Sequence, residues 1–101
     1  MSIQIEQTPR YTRYSFETGS GELAITLRHS GYVTLAHGIV LAQAPSESLQ
    51  IKYLEYPGEP EESFALLSLA CGENTFINIE IDLEIYRRLV EIEPLKPFII
   101  S

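Results

Sequence analysis

The residues best suited to chemistry are few. There are two histidines, His29 and His37, eight positions apart, and one cysteine, Cys71. A neutral imidazole binds divalent metals, and a carboxylate commonly completes such a set. His29 and His37 flank an apolar run, so a pair of strands between them would bring the rings together. With Glu80 (or Glu73) they make a candidate zinc or iron set, suited to metal-assisted hydrolysis or isomerisation. The spacing has little specificity. The plainer reading puts His29 in a solvent-facing turn and makes His37 a partly buried ring bonded to the backbone. Cys71 precedes Gly72 and Glu73. No base or electropositive setting surrounds it in sequence, so it reads as a structural thiol rather than a nucleophile.

Two further groups bear on binding. Arg10-Tyr11-Thr12-Arg13-Tyr14 interleaves guanidinium groups with aromatic rings. Arg10 and Arg13 are therefore candidates for clamping an anion or a single-stranded nucleic acid. On a strand, however, Arg10 and Thr12 face one way while Tyr11 and Arg13 face the other. Glu59, Glu61 and Glu62 lie in a proline-rich segment and supply carboxylates without a basic neighbour. Six tyrosines and no tryptophan offer rigid amphipathic area. Tyr53, Tyr56 and Tyr86, with Glu61, Glu62 and the apolar tail residue Phe98, form the candidate protein-binding set. No phosphate-cradling glycine loop, nucleophile elbow, paired-cysteine site or His-Glu-x-x-His run is present.

Charge favours a basic protein partner over nucleic acid. The chain has seven basic and fourteen acidic side chains, for a net charge of −7. Residues 1–45 balance at three of each sign, whereas residues 46–101 hold four basic and eleven acidic ones. The second half repels phosphate backbones and anionic membranes. The N-terminal residues lack a basic, then apolar, leader pattern. The longest apolar run, residues 64–71, has eight residues against about 20 needed for a spanning helix. A single cysteine cannot form an intrachain disulfide, which is consistent with a reducing, cytoplasmic setting.

The elements that must position these groups read mostly as strands. Ile3 and Ile5 alternate with Gln4 and Glu6 ahead of Pro9. Leu23, Ile25 and Leu27 alternate with Ala24, Thr26 and Arg28, the clearest half-buried strand. Gly19-Ser20-Gly21 predicts a hairpin turn joining it to the segment before. Residues 32–44 carry no charge. They read as one bent strand or two, with Gly38 at a bulge or a close backbone approach. Leu49, Ile51 and Tyr53 begin another strand that runs to about Tyr56.

Residues 63–71 are ambiguous. Pro60, Glu61, Glu62 and Gly72 are helix punctuation, yet a helix there would be apolar nearly all round. The compact link Gly72-Glu73-Asn74 before the alternating Thr75, Ile77, Ile79 and Ile81 favours a strand and a hairpin. Asp82 is a suitable cap for a helix that places Leu83, Tyr86, Leu89 and Val90 on one side and ends at Pro94. Glu84 with Arg88 and Arg87 with Glu91 have ion-pair spacing on it. The tail at Phe98, Ile99 and Ile100 docks as an edge strand or on a partner.

These expectations describe one β-rich domain over residues 1–101. Its fold is mainly β, an antiparallel meander sheet or small open barrel of five to seven strands with one C-terminal α-helix. The leading functional expectation is a non-catalytic interaction module (an adaptor, assembly factor or inhibitor) with no cofactor, whose partner is a protein, a basic one being favoured by charge. An open sheet edge also makes a homodimer credible. The alternatives are a small β-barrel metal-dependent enzyme or ligand-binding module, and an anion or single-stranded nucleic-acid binder.

Overall fold

The computed structural model describes residues 2–55 and 57–100. Alternation of apolar and polar residues sets the architecture. Five strands form one sheet in chain order: β1 (Gln4–Gln7), β2 (Tyr11–Thr18), β3 (Gly21–Arg28), β4 (Tyr32–His37) and β5 (Val40–Pro45). Every pairing in it is antiparallel. The second sheet has the order β8-β7-β6-β9, built from β6 (Leu49–Leu54), β7 (Phe64–Gly72), β8 (Thr75–Ile81) and β9 (Ile99–Ile100). Only the β6–β9 pair is parallel. Neither sheet closes into a barrel. One α-helix, α1 (Leu83–Leu89), lies near the C-terminus. The fold is thus the mainly β, open antiparallel meander with a late helix that the alternation predicts.

The buried sets follow strand parity. Tyr14 and Phe16, Leu23 and Ile25, and Val33 and Leu35 face inward from β2, β3 and β4. Leu49, Ile51, Ala65, Leu67, Leu69, Ile79 and Ile81 do so from the second sheet. Together with Ile85, Leu89 and Leu95 they form one cluster. Each large side chain of this kind contributes about 1.5–3 kcal/mol by leaving water. Strand β5 lies close to β7, where the two sheets approach.

Residues 63–71 fall on the strand side of the ambiguity. β7 sits between β6 and β8, so both of its edges are paired; Ala65, Leu67 and Leu69 are buried on one face and Phe64, Leu66 and Ala70 are half-buried on the other, so its sequence reads as a nearly unbroken apolar run. The proline and acids that resembled a helix start form a single 3-10 turn, Pro60–Glu62. Residues 32–44 make two strands. Gly38 is neither a bulge nor a close approach: it occupies the β4–β5 turn at φ +60°, with open space where a Cβ would be.

Asp82 is the flanking residue of α1, but its side chain makes no capping bond. The helix is shorter than the sequence suggests. It stops at Leu89 with Val90 as cap, and Pro94 lies in the first turn of a following 3-10 segment, Glu93–Phe98. That segment buries Leu95. The ion pairs among the described residues are Arg13–Glu6 and Lys96–Glu93, so the two pairs expected along α1 are not formed. The tail docks within the chain, with Ile99 and Ile100 opposite Ile51 and Lys52. Among the described residues, no helix is long and apolar enough to cross a membrane.

Candidate functional site

Three hairpins set the geometry of one cleft. Thr18 pairs with Gly21 across the β2–β3 turn, and Leu23 pairs with His37 across β3 and β4. That register carries Gly19 and Ser20 to the same end of the first sheet as His37 and Val40. The free edge of β8 faces them. The cleft between has a volume of about 430 Å³ and is lined by Gly19, Ser20, His37, Val40, Asp82 and residues 77–80 of β8.

His37 Nε2 is 3.2 Å from both Thr18 Oγ1 and Ser20 Oγ. The Thr18 hydroxyl donates to the Gly21 carbonyl at 2.6 Å and accepts from the Ser20 amide. Its one hydrogen is therefore committed. Either Nε2–H donates to Thr18 Oγ1, or a bare Nε2 accepts from Ser20. A serine–imidazole pair at this distance is within reach for nucleophilic chemistry. Among the described residues, however, no side chain is hydrogen-bonded to His37 Nδ1 to orient the ring as a base. The arrangement fixes a hairpin tip and presents polar groups to the cleft.

The expected metal set is not assembled. His29 follows the far end of β3 and its Nδ1 donates to the Pro9 carbonyl at 2.9 Å. His37 pairs near the other end of that strand, about 15–20 Å away by strand rise. Glu80 shares the cleft with His37 but not with His29. Among the described residues, no three His, Cys, Asp or Glu side chains converge to hold a metal ion. Cys71 is half-buried rather than enclosed, with Sγ 3.9 Å from the Thr75 carbonyl.

The arginine cluster is also divided. Arg13 Nη1 meets Glu6 Oε1 at 2.8 Å, its Nε donates to Thr26 Oγ1, and its guanidinium lies over the Tyr11 ring at 4.8 Å. These contacts lie on the outer face of the first sheet and occupy the group an anion would need. Arg10 sits apart in a shallow hollow with Pro9, Arg28, His29 and Ser30.

Of the candidate protein-binding residues, Tyr53 and Tyr86 come together, their rings stacked with centroids 5.7 Å apart. Phe98 is half-buried against the core. Tyr56 lies outside the described residues. Glu61 and Glu62 line, with Glu59, Glu80, Ser63 and Phe64, a concavity of about 420 Å³. Glu80 lines both this concavity and the cleft, so the two adjoin. Beside the cleft stands the β4–β5 tip, where Ile39 is fully exposed and Leu41 largely so. Ser20, Ile39, Val40, Ile77, Ile79 and Asp82 are not singled out by the sequence, because hairpin registers bring the first three to one end of the first sheet and the packing of the two sheets sets β8 and Asp82 against them. The available signal was the glycine-marked turns at Gly19-Ser20-Gly21 and Gly38, which fix where strand ends meet.

Comparison with protein-family models, with curated proteins and with solved structures finds no match to this chain.

Proposed function

We infer that the protein is a non-catalytic interaction module whose acidic half recognises a basic protein surface. The observation that carries this reading is that Glu59, Glu61, Glu62 and Glu80 line one concavity, with no Lys or Arg among its described lining residues. Four carboxylates in one hollow create a focused negative potential that speeds encounter with a cationic partner. The apolar tip at Ile39 and Leu41 supports the same reading, since adjacent exposed large side chains are typical of contact surfaces. The unpaired thiol of Cys71 fits a reducing, cytoplasmic setting.

Co-purification from native extract, with mass measurement of the intact complex, identifies the partner. Stopped-flow association is then compared for the wild-type chain and the Glu61→Lys, Glu62→Lys double variant. At low ionic strength the variant should associate about tenfold more slowly, with a flatter salt dependence. Unchanged association kinetics would remove the carboxylates from the recognition surface.

A further inference from the structure

We propose that the free edge of β8 takes up an extended basic segment of another protein as an added strand, seated in the cleft opposite the two hairpin tips. The proposal rests on the acidic-recognition reading and adds the mode of binding and the backbone that performs it.

The cleft runs along the strand edge, not over a sheet face. Side chains of consecutive strand residues point to opposite faces. A space lined by Ile77, Asn78, Ile79 and Glu80 together must therefore lie edge-on to the strand. Among the described residues, β8 is the terminal strand of its sheet and pairs only with β7. Every second residue on it directs an N–H and a C=O away from β7 and toward the cleft. β8 has seven residues, which spans about 23 Å, enough for a short extended segment.

The opposite wall suits the outer edge of such a segment. Ser20 Oγ and the His37 imidazole supply polar groups there, while Val40 faces the cleft across from Ile77 and Ile79. A guest strand pairing with β8 would place alternate side chains among these three apolar residues. At the far end, Glu80 and Asp82 contribute carboxylates, and the Glu59, Glu61 and Glu62 hollow continues beyond Glu80. Among the described residues, no Lys or Arg lines either space. Cationic residues at that end of the guest are thus matched by charge. A second copy of this chain is disfavoured as the guest, because its own β8 would bring Glu80 and Asp82 into a region already short of cations.

The test uses the isotope-labelled full chain and an acetylated, amidated heptapeptide alternating lysine and valine. Two further peptides have the same sequence but are N-methylated at the lysines or at the valines, so each lacks one edge's donors. The parent peptide is expected to protect β8 amides from hydrogen exchange, and one methylated form should bind about tenfold more weakly. Glu80→Gln should weaken the parent by about threefold without changing the far-UV spectrum. If all three peptides bind alike and perturb residues 59–62 rather than β8, strand addition is wrong while acidic recognition stands. Failure of the parent to bind at low salt overturns strand addition; acidic recognition is judged separately by the double variant's kinetics. A doubled mass with β8 amides already protected in the protein alone overturns the proposal in favour of self-pairing.

Discussion

Tyr14 is sealed in the core among Phe16, Leu23, Ile25 and their neighbours, and burial pushes its phenol above the ordinary tyrosine value. The folded state therefore keeps the Tyr14 proton more tightly than the unfolded chain does. The stability this contributes is fully present below the unfolded value near about pH 10 and is lost as pH rises through the folded one. Tyr14→Phe should flatten the alkaline limb of a denaturant-derived stability profile above about pH 10 and leave its neutral region little changed in shape. At this scale the sequence was partly readable. The shared parity of Tyr14 and Phe16 is visible in the chain, and it is their inward face that the core uses. The fate of Arg13 was not visible, because Glu6 reaches it only through the β1–β2 register. His29 was readable as a turn residue. The Thr18 and Ser20 partners of His37 depend on two successive hairpins being in register, which no local pattern specifies.

Hairpins are the elements that build both the fold and the cleft, and their turns can be tested singly. Gly38 opens a two-residue loop with Ile39 as its second member, which fits a type II′ turn needing positive φ at the first position. No atom lies near a Cβ placed there, so the cost of a side chain is conformational, not steric. Gly38→Ala should lower stability by about 1–2 kcal/mol in urea titration. Gly19→Ala, at a position without positive φ and with similar open space, should be close to neutral. The strands from Leu23 to Arg28 and from Thr75 to Ile81 were legible because each has one buried face. β7 was harder, since apolar residues occupy both of its parities, the buried Ala65, Leu67 and Leu69 as well as the half-buried Phe64, Leu66 and Ala70, and such a run looks like a buried helix. α1 is shorter than its spacing predicts: helix spacing continues through Val90 and Ile92, but the regular turns stop at Leu89 and a 3-10 segment that buries Leu95 follows.

The whole molecule divides electrically along the line that divides its sheets. The five-stranded sheet lies within the balanced residues 1–45, and the second sheet with α1 lies within the segment whose net charge is −7. That division was fully legible, since it is a count along the chain, and Pro45 ends the last strand of the first sheet. What could not be counted is that Glu80 and the Glu59 to Glu62 carboxylates share a hollow, because a sheet edge and a 3-10 turn must fold together to place them. Crowding like charges on one side opposes compaction at low ionic strength. Adding salt to about 0.3 M at neutral pH should therefore raise Tm by about 2–4 °C, and a scanning calorimeter would read the change. A further consequence follows from the same partition. A body with one neutral sheet and one negative sheet has an electric heading, and near a positively charged object it tends to turn its second sheet forward before contact.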